Sequence, residues 1–156
     1  MIDRLDTALL NEMQRDADQT AEALARNVPL SPSAIARRLR RLRASGWISR
    51  TISLLAPKLI EARLRALVAV ELSEHADVAG KRALLQRLIA EPQVQFAYEM
   101  SGTVDLWVLF DCPHMAAFNE VAERVLVADA TVRRYETSFV KREIKFAPFV
   151  ALGDRV

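Results

Sequence analysis

Apolar side chains recur every three or four residues through the first third of the chain, and every second residue through much of the remainder. Leu5, Leu9 and Met13 form a stripe at i, i+4 and i+8. Ala21, Leu24, Ala25 and Val28 form a second stripe, and Ile35, Leu39 and Leu42 a third. Three short helices are therefore predicted before residue 46. Their ends carry the expected punctuation. Asp3 or Asp6 stands at the start of the first, and Thr20 can cap the second. Pro29 stops that second helix, because the residue before a proline avoids the α region. Ser31 is a good cap for the third helix, Pro32 suits its first position, and Gly46 supplies a left-handed stop. The turn over 27–30, with Leu30 available to plug the core, has the length of a helix-turn-helix connection.

Beyond Gly46 the period changes. Trp47 and Ile48 lead into a predicted extended linker strand over 49–55, which Pro57 closes. Strands are predicted over 63–72, 94–100, 105–112 and 132–146. Between them lie a helix over 78–90, with Leu84, Leu85, Leu88 and Ile89 inward, and one over 114–126, with Phe118, Val121, Ala122 and Val125 inward. The order β-α-β-β-α-β is the split βαβ of a ferredoxin-like fold. The chain thus reads as α+β: a winged helix-turn-helix domain over 1–50, a linker strand over 51–62, and a ferredoxin-like domain over 63–156. In such a fold both helices cover one sheet face. Yet Leu106, Val108 and Phe110 alternate with Trp107 and Leu109, and Val68 and Val70 with Leu67 and Ala69. A sheet apolar on both faces must be covered on both. A second subunit is expected there; the alternative is that the N-terminal helices fold back onto it.

Charge sharpens the reading of the first domain. The net charge is only +2, but its distribution is uneven. Between Leu30 and Arg50 there are six arginines and no acid, whereas residues 51–156 are nearly balanced. On the third helix Ser33, Arg37, Arg40 and Arg41 lie roughly opposite the apolar stripe. An arginine front on an apolar back suits a DNA groove, where phosphates attract the charge and guanidinium forks read guanine edges. Ser31, Ser33 and Arg37 are the leading candidates for contacts deep in the groove, followed by Arg40 and Arg41. Arg38, Arg43 and Arg50 are expected to meet phosphates. The competing explanation is a three-helix bundle with a solvated arginine face. With 51% hydrophobic residues, the chain has enough apolar side chains for a real core. No stretch looks long enough to span a bilayer, and Asp3, Arg4 and Asp6 stand where a signal peptide would be apolar. A cytoplasmic protein without a membrane partner is expected. Cys112, the single cysteine, excludes an internal disulfide.

The residues 5–16 (LDTALLNEMQRD), 23–48 (ALARNVPLSPSAIARRLRRLRASGWI), 100–110 (MSGTVDLWVLF) and 136–145 (ETSFVKREIK) resemble the Lrp/AsnC (feast/famine) family of prokaryotic regulators over nearly the whole chain. The resemblance implies a DNA-binding regulator whose ferredoxin-like domains pair into homodimers, which can assemble further into tetramers or octamers. Many such proteins sense amino acids or similar small effectors, bound between C-terminal domains. Carried over, the effector residues are Met100, Ser101, Gly102, Thr103, Val104 and Asp105 of the turn, with Thr137 and Ser138 of the last strand. A glycine permits close approach of a ligand to the backbone, whose N–H groups can hold a carboxylate. Asp105 can accept a bond from an ammonium group; a plain β-turn capped by an Asp is the alternative. Pro29 departs from the glycine usual before the leucine-serine of the turn.

An enzyme is the main rival, because the two-domain layout also resembles tetrapyrrole (sirohaem-type) decarboxylases. Thr103, Val104 and Asp105 stand where that chemistry would be expected, ahead of Leu106 and Trp107. Only His75 and His114 offer imidazoles, neither with an adjacent nucleophile, and one cysteine with two scattered histidines builds no metal cluster. No catalytic residue, metal or cofactor is therefore assigned. An architectural DNA-binding protein with no effector is a third reading.

Overall fold

The computed structural model describes residues 1–73 and 77–153, and the chain divides into two compact units. The first comprises Met1–Leu54 and the described residues from Lys145 onward; the second is Leu55–Ile144.

In the first unit α1 spans Arg4–Arg15, α2 Ala21–Leu24 and α3 Pro32–Ala44. Asp3 caps α1 in a reciprocal box: its carboxylate accepts the Asp6 N–H at 2.8 Å, while the Asp6 side chain accepts the Asp3 N–H at 3.2 Å. Thr20 and Ser31 cap α2 and α3 through the N–H groups of Ala23 and Ala34. The end of α3 is a Schellman motif. Gly46 lies at φ 76°, its N–H reaches the Arg43 carbonyl, and the Trp47 N–H reaches Leu42. Between α2 and α3 the Leu30 N–H bonds to the Val28 carbonyl at 2.7 Å, a tight turn centred on Pro29. Proline's fixed φ suits that turn, so no glycine is required there. Leu9, Leu24, Ile35 and Leu42 are fully buried and tie the three helices together.

Two expectations fail in this part of the chain. Residues 49–56 form no strand, so the helix-turn-helix lacks a paired wing among the described residues, and the 51–62 segment instead contains a short 3-10 turn at Pro57–Leu59. A strand needs a neighbour for its N–H and C=O groups, and apolar side chains alone supply none. The last strand is also shorter than expected, and the chain after it returns to the first unit. There two side-chain amides act as a strand edge. Asn11 exchanges two hydrogen bonds with the backbone of Leu152, at 2.9 and 3.0 Å, and Gln14 two with Val150, both at 2.9 Å.

The second unit contains β1 (Leu64–Leu72), α4 (Val78–Ala90), β2 (Val94–Glu99), β3 (Leu106–Cys112), α5 (Met115–Ala122) and β4 (Val132–Phe139). All neighbouring strands are antiparallel, in the order β2-β3-β1-β4. The last turn of α5 widens into a π turn at Glu123–Val127. Val68 and Val70, Leu106, Val108 and Phe110 all point to one face and are fully buried under Leu84, Leu88, Val121, Val125 and Leu126. Phe118 meets Phe110 edge-on at 5.8 Å and Phe139 at 5.5 Å. Ile89, expected inward, is 76% exposed; Leu84 and Leu88 alone bring α4 fully into the core. The opposite face carries Leu67, Ala69, Trp107 and Leu109, each half-buried, beside the mutually tilted rings of Phe96 and Tyr98.

Candidate nucleic-acid interface and effector turn

The candidate DNA surface is the outward side of α3. Its back is fixed by Ile35, Leu39 and Leu42, so the rotation of the helix is set by the core. Arg37, Arg40 and Arg43 are exposed and recur every third residue. Arg38 and Arg41 are differently placed. The Arg38 guanidinium donates to Asp3 at 2.6 Å and to Asp6 at 2.8 Å, and Arg41 donates to the other Asp6 oxygen. Asp6 is completely buried, and Arg38 is only 20% exposed at its side chain. Arg38 beside it, helped by the Asp6 N–H, holds the Asp3 carboxyl below the usual carboxylate range, and the two aspartates push the Arg38 guanidinium up. The arginines of α3 are thus partly neutralised after all, by acids from the start of α1. That pairing was not visible in the sequence, where the partners lie more than thirty residues apart.

Ser31 and Ser33 are exposed, but their hydroxyls bond to one another at 3.1 Å, and that of Ser31 also caps the helix. Arg50 is exposed in the unpaired segment after α3, lining a cleft of about 840 Å³ with Met13, Trp47, Ile52 and Val150.

The candidate effector turn joins β2 to β3. Met100, Ser101, Gly102 and Thr103 are exposed, and Val104 and Asp105 half-buried. The Met100 N–H bonds to the Asp105 carbonyl at 2.8 Å, closing the turn, and the Asp105 N–H bonds to Val70 at 3.0 Å. One Asp105 carboxylate oxygen accepts the Leu72 N–H at 2.8 Å. Asp105 therefore extends the β3–β1 ladder by one side-chain bond, as in the capping alternative, and one of its oxygens is spent there. Gly102 has no positive φ, and a Cβ built on it meets nothing within 4 Å, so the backbone is open to approach. Thr137 pairs with Val68 and Ser138 with Leu67, which places them on opposite sheet faces. β1 separates both from β3, so one chain does not gather turn and last strand into a single cleft.

The remaining chemical groups are occupied by structure. His114 caps α5, its Nδ1 accepting the Ala117 N–H at 3.2 Å. Burial pushes the Cys112 thiol up, with neighbouring Asp111 adding to the effect. His75 lies outside the described residues. Among the described residues, no cluster of three or more His, Cys, Asp or Glu side chains could hold a metal, and no helix is long and apolar enough to cross a membrane.

Two family domains match the chain. An AsnC-type helix-turn-helix domain matches residues 2–43, and an Lrp/AsnC ligand binding domain matches residues 65–148. An HTH-type transcriptional regulator of Sinorhizobium fredii is 32% identical, over 92% of this chain and 85% of that protein. The leucine-responsive regulatory protein of Salmonella typhimurium is 31% identical, over 92% of this chain and 87% of its own length. Among solved structures, an AsnC family transcriptional regulator from Agrobacterium tumefaciens superposes with a TM-score of 0.83 at 26% identity, covering 96% of each chain. A Neisseria meningitidis transcriptional regulator in complex with L-Met shares the fold, with a TM-score of 0.83 at 24% identity over 99% of this chain and 98% of that one. With a helix-turn-helix unit, a four-stranded α+β unit and relatives of this kind, the chain belongs to the Lrp/AsnC family of transcriptional regulators, combining a DNA-binding domain with a ligand-binding one.

Proposed function

We propose that this regulator binds double-stranded DNA sequence-specifically as a homodimer or higher assembly, and that an amino acid or similar small effector controls that binding. The observation that carries the reading is the exposed row Arg37, Arg40 and Arg43 on a helix whose back is locked into a core. A rigid helix presenting free guanidinium groups is what major-groove recognition requires. Arg37, with Ser33 beside it, reaches base edges, and Arg40 follows. Arg43 and Arg50 meet phosphates. Pairing of two subunits is supported by the half-buried apolar face formed by Leu67, Trp107 and Leu109. Two such helices then favour half-sites about 10 base pairs apart, or a multiple of that.

The effector is taken at the turn Met100, Ser101, Gly102, Thr103, Val104 and Asp105, with Thr137 and Ser138 supplied by another subunit's strand. The support is the open backbone at Gly102 and the L-methionine held by structurally similar proteins from Neisseria meningitidis and Mycobacterium tuberculosis. An effector acts only by binding one assembly or one DNA-competent arrangement better than another.

The test is a fluorescence-anisotropy titration of the DNA flanking the protein's own gene against a random duplex, with and without each amino acid. Tighter binding to the flanking DNA, a steep fall with salt and a shift by at least one amino acid are expected. Equal affinity for both duplexes would instead make it an architectural binder. No amino-acid effect on affinity, assembly or melting would remove the effector.

A further inference from the structure

The five arginines of α3 fall into two sets with different partners. Arg37, Arg40 and Arg43 are exposed and have no acidic partner among the described residues. Arg38 and Arg41, also three residues apart, lean from the same flank of the helix onto the first turn of α1, where Asp6 receives one guanidinium on each carboxylate oxygen. Asp6 is fully buried, and it also accepts the Asp3 N–H. Asp3 adds a second anion against Arg38. A buried carboxylate of this kind costs desolvation, and two guanidinium partners with a backbone donor offset it. A helix cap alone requires neither complete burial nor a second arginine.

We propose that Asp6, backed by Asp3, is a positioning residue for DNA recognition. It holds Arg38 and Arg41 away from the phosphates, so that on a helix whose rotation the core already sets, Arg37 and Ser33 are the groups presented to base edges. The effect is on selectivity. Two arginines left free on that flank would add attraction for any duplex, whatever its sequence, and would let the helix settle in more than one register. Restraining them keeps the sequence-independent part of the affinity low. This inference rests on the DNA-binding reading above and assigns a residue that touches no DNA.

The experiment compares the full chain with Asp6→Asn and Asp3→Ser on two duplexes of equal length. One is selected in vitro for tight binding to the unaltered protein, and the other has a scrambled sequence. Asp6→Asn removes the charge and keeps an acceptor; Asp3→Ser keeps a good helix cap and removes the second anion. For Asp6→Asn the scrambled duplex should bind severalfold tighter at low salt. The slope of log affinity against log salt should steepen by about one to two, near 0.9 for each released arginine, and the selected-to-scrambled ratio should fall. Asp3→Ser should move all three readouts in the same direction by less, and it carries the test if Asp6→Asn does not fold. A merely structural role predicts something else: both duplexes weakened together, with slope and ratio unchanged, and that result overturns the proposal. If the unaltered chain binds neither duplex, the DNA-binding reading falls and this inference with it.

Discussion

The outward face of α3 and the turn between β2 and β3 are both exposed, but they differ in what a single chain completes. On α3 the charges sit on a rigid helix whose back is buried, and three of the five arginines remain exposed without a charge partner among the described residues. A polyanion is recognised by an open surface, so the DNA contact proposed for α3 would need no enclosure. The turn offers backbone groups and the hydroxyls of Ser101 and Thr103, while an oxygen of its one carboxylate, on Asp105, is committed to the Leu72 N–H. Small ligands are held where most of their surface is enclosed. A row of exposed residues would therefore make at most half of a small-ligand site, while an exposed surface suffices to meet a nucleic acid.

The harshest way to break the comparison is to remove the sheet that carries the turn. Phe110→Ala leaves a cavity beside Phe118 and should cost about 3–5 kcal/mol, read as a lowered midpoint of thermal unfolding. Next, Arg38→Met should destabilise the first unit by about 1.5–3 kcal/mol, because a mostly buried, charge-assisted bond to Asp6 is lost. Chemical denaturation monitored by helical circular dichroism checks it. Arg37→Ala should cost about 1–3 kcal/mol on the preferred site and much less on random DNA, with no comparable loss of stability. Equal losses on both duplexes would make Arg37 a phosphate contact. Asp105→Ala should cost about 1–2 kcal/mol by orphaning the Leu72 N–H, and Asp105→Asn, which keeps an acceptor, clearly less.

The smallest effect is on pH. The folded-state pKa of Asp3 lies below its unfolded value, so the stabilisation is complete above the ordinary carboxylate range, near 3.9, and is lost as pH falls through the lower folded value. Because Asp3 is half exposed, the loss should stay under about 1 kcal/mol. Asp3→Ser should flatten that part of the stability profile between pH 5 and pH 2.

Elements whose signal is local were legible in the sequence. The bounds of α4, the Ser31 cap, the Gly46 stop and the buried alternation of β1 and β3 all follow from periodicity and end residues within a few positions. What escaped depends on distant partners. Residues 49–55 look like a strand but pair with none of the described residues, and the apolar residues between Val140 and Phe146 continue a β pattern past the point where pairing with β1 ends. Ile89 sits at an apolar position of α4 that faces solvent. The same limit applies to the site. An arginine can be placed on the outward side of a helix from spacing alone, but whether it is free was decided by Asp3 and Asp6, an element away.

The clasp of Asn11 and Gln14 on Leu152 and Val150 has a practical consequence for anyone cutting or recombining the gene. The helix-turn-helix unit is assembled from Met1–Leu54 and the described residues from Lys145 onward, so it is not a contiguous cassette. A fragment stopping at Leu54 strips two amides of their backbone partners and bares the α1 surface beneath. Chimaeras that exchange heads between relatives should carry the matching tail as well.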